Sequence, residues 1–312
     1  MTDDSSDVMT LQARVRAPRA AVHNALTEAA ALRTWLAEYA EVALPQRFAF
    51  WGPSVPEGPY TAQIDAAHQR PLHVGERTVR FGWRLDERDT TVEFSLAESD
   101  PGNTLITLIQ SHLPPWADIL AEKGSLGVVH TFWALAIANL VDHLEGRPLT
   151  PRADLTSTSQ RATVDIGAPV EQVWTALTES DRFSRWFGAT VGIEPQPGGR
   201  FAMGGFAADP EPGTITHVTT GRRMTVTWAD VATTWELADS GGRTRLTISN
   251  SGFDPARPPR GMWMGWLAGV AELRRYCELV GWTPIWQQVE VPGVTDGVLV
   301  EQSRTRGLGT TP

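Results

Sequence analysis

Six of the seven histidines fall in the first half of the chain: His23, His68, His73, His112, His130 and His143, with only His217 beyond them. Imidazole is the side chain whose ordinary pKa lies closest to neutrality, so clustered histidines are the natural place to look for acid–base chemistry. His130 stands three residues before Trp133 on a helical pattern, and His112 stands at the end of an alternating segment that precedes it. Both are expected near one end of the same interior, as candidate catalytic proton carriers. The plainer alternative is a helix-start hydrogen bond for His130 and a solvated turn for His112. No third ligand has helical or hairpin spacing to them, so no metal site is expected, and no cofactor. Cys277 is the single cysteine, which excludes an internal disulfide. It falls on an apolar helical stripe where a thiol acts as a small hydrophobe. Strings of the Gly-x-Ser-x-Gly, P-loop, His-Glu-x-x-His and Gly-x-Gly-x-x-Gly type are absent.

Thirteen tryptophans are the other conspicuous resource. A buried aromatic side chain covers about 150–250 Å2 and offers an apolar ligand a flat wall. The residues expected to line such a wall are Trp51, Trp83, Trp133, Ile137, Met203, Trp228, Trp235, Trp263, Trp266 and Val270, whereas Trp35 and Trp186 are expected to pack the core.

These residues are distributed by an internal repeat. Ala17–Glu28 returns as Ala168–Glu179 at an offset of 151, Thr104–Leu108 answers Thr244–Ile248 at 140, and Trp133, Ile137, Leu140 and Leu144 answer Trp266, Val270, Leu273 and Cys277 at 133. An offset that shrinks only across loops marks two copies of one domain. The boundaries are 10–148 and 161–282, with a Thr/Ser/Pro-rich linker at 149–160 and a tail at 283–312. In each copy the order is a strand, two helices, a run of short alternating segments and one long helix. The segments are 47–51, 61–65, 78–83, 90–96 and 104–110, with counterparts at 200–206, 213–219, 223–228, 232–237 and 243–249. Short segments split by Gly, Pro and Asp imply an antiparallel meander. Ser180 is expected to cap the second helix of copy two. The stripe Trp263, Trp266, Val270, Leu273, Cys277 and Val280 marks the buried face of its last helix. The fold class is therefore α+β, two tandem domains, each a curved antiparallel sheet wrapped around a long C-terminal helix, with a ligand cavity expected between the two. In the tail, 289–300 alternates but contains Pro292, which demotes a strand there.

Copy two resembles the START-like, or SRPBCC, helix-grip superfamily, and within it the branch of activator of heat-shock-protein-90 ATPase homologues. The likeness is carried by Ala168 to Phe187, by Gly198 to Met203, by Thr244 to Phe253 and by Gly265 to Glu278. Copy one departs from it: Leu36 stands in place of Phe187, the glycine pair is missing around Arg47 and Phe48, and His112 stands where Gly252 does. The resemblance implies binding of a small apolar or aromatic molecule in the cavity. It also admits an aromatase/cyclase or dehydratase on a polyketide-like substrate, and a co-chaperone-like interaction module. It transfers no set of catalytic residues.

The net charge of −9 leaves no basic half: residues 1–150 carry 12 basic against 19 acidic side chains, and the remainder 15 against 17. Nucleic acid and anionic membrane are therefore not expected partners, and a protein partner has no sequence signal of its own. The acidic start carries no leader-like apolar run, so a cytoplasmic protein is expected, of bacterial type by its arginine-rich basic residues.

Overall fold

The structure, a computed structural model, describes residues 7–57, 69–114, 118 and 121–290. The first copy runs β1 (Met9–Val15), α1 (Arg19–Thr27), α2 (Ala29–Trp35), β2 (Tyr39–Ala43), β3 (Arg47–Trp51), β4 (Gln69–Gly75), β5 (Thr78–Leu85), β6 (Arg88–Asp100), β7 (Asn103–Gln110) and α3 (Val129–Leu144). The second runs β8 (Gln160–Ile166), α4 (Val170–Thr178), α5 (Ser180–Phe187), β9 (Val191–Ile193), β10 (Arg200–Met203), β11 (Gly213–Thr219), β12 (Arg223–Trp228), β13 (Val231–Asp239), β14 (Thr244–Ser251) and α6 (Arg260–Glu278). A last strand, β15 (Trp286–Glu290), follows. The segment expected at 61–65, with His68, lies outside the described residues, as does the tail beyond Glu290.

Both copies form antiparallel sheets in the expected order, β1-β7-β6-β5-β4 and β8-β14-β13-β12-β11-β10-β9. In copy two the β9–β10 pair joins the sheet through β11. In copy one, among the described residues, β2 and β3 pair only with each other, and the carboxamide of Gln69 links β3 to β4. It accepts from the Phe50 N–H at 2.7 Å and donates to the Phe50 carbonyl at 2.8 Å. One buried side chain thus satisfies both backbone groups of Phe50.

The duplication extends to single hydrogen bonds. Trp35 Nε1 donates to the Ala25 carbonyl at 2.9 Å and Trp186 Nε1 to that of Ala176 at 2.8 Å. Thr104 and Thr244 hydroxyls donate to Ala17 and Ala168 carbonyls at 2.8 and 2.7 Å. Trp35 and Trp186 are core packing in both copies.

Some local expectations are corrected. Ser180 is the first residue of α5 and not its cap. Glu179 ends α4 and starts α5, while the Ser180 and Ser184 hydroxyls accept from the Ile193 and Val191 N–H groups at 2.9 Å each, stitching the helix to β9. Strand β10 stops at Met203 because Gly204 and Gly205 turn to φ of 89° and 87°. Val280 lies past the end of α6 and is fully exposed.

The connector 149–160 is pinned along its length. Asn139 and Thr150 exchange two hydrogen bonds (3.0 and 2.9 Å), Arg152 reaches Glu38 (3.2 Å) and the Thr34 carbonyl (3.1 Å), and the Leu155 N–H meets the Pro53 carbonyl (2.8 Å). The partners that tie this linker down come from other parts of the chain.

Helices α3 and α6 pack against each other and carry a buried ionic seam. Asp142 receives Arg274 Nη2 and Arg275 Nη1, each at 2.7 Å, and Arg147 Nε at 3.3 Å. Arg275 continues to Glu145 (2.8 Å) and Arg147 to Glu278 (2.6 Å). Asp142, Arg274 and Arg275 side chains are at most 3% exposed. By the offset of 133, Asp142 and Arg275 are equivalent positions in the two copies, and they carry opposite charges. The Cys277 thiol shares this buried end, and its burial pushes its pKa up to about 12, so it is not a nucleophile.

The chain then returns to the first copy. Glu272 accepts from the Ile285 N–H (2.9 Å) and from Trp282 Nε1 (3.2 Å), the Arg14 N–H meets the Ile285 carbonyl (2.8 Å), and β15 pairs antiparallel with β1. Residues 286–290 are therefore part of the first sheet. Among the described residues no helix is long and apolar enough to cross a membrane.

Two predictions follow from the seam. Removing one partner of a buried ion pair strands the other, so Asp142→Ala should cost about 3–5 kcal/mol in urea unfolding, whereas Asp165→Ala, in the exposed pair with Arg245, should cost less than about 1 kcal/mol. Burial raises the Glu272 carboxyl from 4.5 to about 7, against the pull of Arg275 and with the push of Asp142. A carboxyl raised on folding contributes stability that is complete below 4.5 and is lost as pH climbs toward 7. The stability advantage of wild type over Glu272→Gln should accordingly be larger at pH 5 than at pH 8, and an unchanged difference would contradict this.

Candidate functional site

The space between sheet and long helix, where a hollow is expected, is occupied by rings. In copy one Trp133 of α3 lies among Phe50, Trp83, Phe94 and Phe132, at centroid distances of 6.3, 5.8, 5.5 and 4.9 Å, all in edge-to-face contact. In copy two Trp266 of α6 lies among Phe201, Trp228, Trp235 and Phe187, at 6.4, 6.0, 5.0 and 6.0 Å. Ladder register makes two of the wall rings equivalent, Trp83 with Trp228 and Phe94 with Trp235, and Phe50 and Phe201 share the repeat offset of 151. The fourth differs. Gly265 stands at the Phe132 position, and Phe187 comes in from α5 at the position of Leu36.

The void left in copy one, bounded by Leu26, Leu36, Phe50, Phe81 and Trp133 among others, is about 10 Å3, the room of a single water at most. A second void of the same size lies between α2, α3, the connector and Met264. Neither of these two best-formed voids lies between the second sheet and α6. Under the first sheet the expected open cavity is thus a close-packed aromatic core.

The expected lining residues divide accordingly. Trp83 and Trp133 meet in the first box, and Trp228, Trp235 and Trp266 in the second. Ile137 and Val270 are buried one turn further along their helices. Trp263 is buried on α6 before Trp266. Trp51 instead stacks on Tyr39 at 5.6 Å. Met203 is 39% exposed at the end of β10 and lies outside the ring cluster. Phe50, Phe94, Phe187 and Phe201 are members that tryptophan counting overlooked, although Phe50 and Phe201 stand at the repeat offset of 151.

The two boxes differ in polarity. In copy one Trp133 Nε1 donates to Gln110 Oε1 at 2.6 Å. Gln110 Nε2 donates to Thr90 Oγ1 at 3.1 Å, and Thr90 donates to the Trp83 carbonyl at 2.7 Å. In copy two the equivalent of Gln110 is Asn250, one methylene shorter. Its ladder neighbours are Gln160 and Thr233, where copy one has Met9 and Val92. Asn250 accepts from Thr233 at 2.8 Å and donates to Gln160 at 2.9 Å. The Thr90 position is Val231. Trp266 Nε1 is buried and has no partner.

The histidines do not assemble into an acid–base pair. His130 Nε2 is enclosed, and burial drives the ring's pKa down to about 4, so it stays neutral near pH 7. His112 is exposed in a left-handed turn with φ of 62°, its carbonyl accepting from Arg88 at 3.1 Å and its Nδ1 3.0 Å from the Ser111 hydroxyl. The spacing argument put both at one end of the interior; side-chain environment separates their roles.

A family model described as Activator of Hsp90 ATPase homolog 1-like protein matches residues 167–278. No curated protein matches the chain. Solved structures similar to it include a protein from Mesorhizobium loti (23% identity, 37% of this chain and 95% of that one, TM-score 0.32). CalU16 from Micromonospora echinospora is similar at 24% identity (38% of this chain and 73% of that one, TM-score 0.32). An HSP90 activator from Plasmodium falciparum is similar at 18% identity (31% of this chain and 75% of that one, TM-score 0.28).

Proposed function

We propose that the chain, whose residues 167–278 match the family model of Activator of Hsp90 ATPase homolog 1-like proteins, is a two-domain SRPBCC-type protein that binds a small apolar or aromatic molecule between a curved sheet and its long helix. The observation that carries this reading is the ring cluster around Trp133 and Trp266, built on the same strand positions in both copies. Aromatic walls of this kind give large contact area at low conformational cost to a flat apolar guest. Under the first sheet, where the free volume is near 10 Å3, a guest enters only by displacing a ring and taking its contacts. Affinity then depends on which ring can swing outward. In copy one the wall rings Phe50, Trp83, Phe94 and Phe132 are all under 5% exposed; in copy two Trp228 and Phe187 are only partly buried. Binding with modest affinity, through the second box, is what this asymmetry supports.

The test is a titration of the full chain, 15N-labelled at its tryptophan indoles, with 2-ethylnaphthalene. We expect saturable shifts in a subset of the thirteen indole N–H signals, assigned by single Trp→Phe variants, together with a rise in Tm that grows with probe concentration. Absence of any saturable shift up to the solubility limit would remove the reading.

A further inference from the structure

Every buried polar group of an aromatic core is expected to find a partner, and an orphaned donor marks either a cost without return or a place where something else supplies the acceptor. Trp266 Nε1 is such a donor. It is 6% exposed as a residue, it sits at the centre of the second ring cluster, and its copy-one equivalent is satisfied at 2.6 Å by Gln110. The loss of the acceptor is the summed result of four replacements at equivalent positions. Asn250 is too short, Gln160 and Thr233 hold it by both ends, and Val231 removes the hydroxyl that oriented its counterpart.

The orphan also stands beside the weakest part of its wall. Trp228 lies across Gly213, whose bare Cα leaves the indole no side chain to clear; a Cβ there would come within 2.5 Å of Trp228 Nε1. The first box has an orphan of its own, Trp83 Nε1, but it is 1% exposed among rings that are all buried. Among the described residues of the two boxes, it is in copy two that an unpartnered donor and a partly exposed ring adjoin.

We propose that the second domain alone is the binding domain and that its ligand is a neutral, flat apolar molecule bearing one hydrogen-bond acceptor, a carbonyl or ring heteroatom, which receives Trp266 Nε1 after Trp228 swings aside. The first domain is then a sealed brace, its own indole donor occupied by Gln110. Neutrality follows from the walls, which are uncharged aromatic rings with no cation among them to balance an anion. This rests on the ligand-binding reading above and narrows it to one domain, one donor and one class of acceptor.

The test compares two probes of nearly the same shape, 2-acetylnaphthalene and 2-ethylnaphthalene, on the full chain. An indole–carbonyl hydrogen bond in a dry site should make the ketone bind about fivefold to tenfold tighter in wild type. That preference should vanish in Trp266→Phe and persist in Trp133→Phe. In Asn250→Gln, where the longer amide can reach Nε1 from within, it should also fall. In the 15N spectrum the Trp266 indole proton should move downfield with the ketone and not with the hydrocarbon. If both probes bind equally, ligand binding stands and the donor assignment is overturned. If the preference survives in Trp266→Phe, or disappears in Trp133→Phe, the domain assignment is overturned. If neither probe binds, both readings fall together.

Discussion

Asp142 and the two arginines that close on it set the frame for everything else. Three charged groups, each almost completely withdrawn from water, are tolerable only when their geometry satisfies one another, since leaving one unpaired in the interior costs several kcal/mol. That requirement holds α3 and α6 at one distance and one register. Because each of these helices is also the rod gripped by its own sheet, the seam positions both sheets. Extended by Arg147 to Glu278, whose other carboxylate oxygen accepts from the Gly167 N–H, it reaches the entry to α4 as well. The C-terminal halves of the helices cannot shift outward without breaking it. Any opening of an interior must come from the sheet side, where Trp228 stands.

Opposite charges at equivalent positions also say how the duplication was used. Two identical copies meeting through this helix would place Asp142 against another Asp142, or Arg275 against another Arg275. A single chain can carry the acid in one copy and the base in the other, and the association becomes specific for the unlike pair. β15 completes the same asymmetry, since it follows copy two yet extends the sheet of copy one, anchored at the crossing by Glu272.

The divergence of the interiors follows a comparable logic at smaller scale. The rings around Trp133 and Trp266 are nearly superposable in kind, but a carboxamide on the last strand is turned inward by apolar neighbours in one copy and sideways by polar neighbours in the other. Met9 and Val92 offer Gln110 nothing, so it bonds the indole. Gln160 and Thr233 satisfy Asn250, so the indole is left.

Much of this architecture is legible in the residues alone. The repeat offsets, the alternation of the strands and the stripe on the last helix are local or periodic signals, and periodicity is what one-dimensional order can express. Even the equivalence of Phe50 with Phe201 and Gln110 with Asn250 is written in the offsets, once the ladder confirms the register. How the connector is tied down, where the segment after Trp282 lies, whether the space under the first sheet is hollow and that His130 is enclosed were all decided in three dimensions. Each depends on partners more than a hundred residues away or on the volume left after every side chain is placed. Hydrogen-bond satisfaction and close packing are properties of the assembled interior. The tryptophans of the two clusters could have walled a cavity or filled it, and the folded chain packs them ring against ring, with the indole N–H groups of Trp83 and Trp266 left unpartnered.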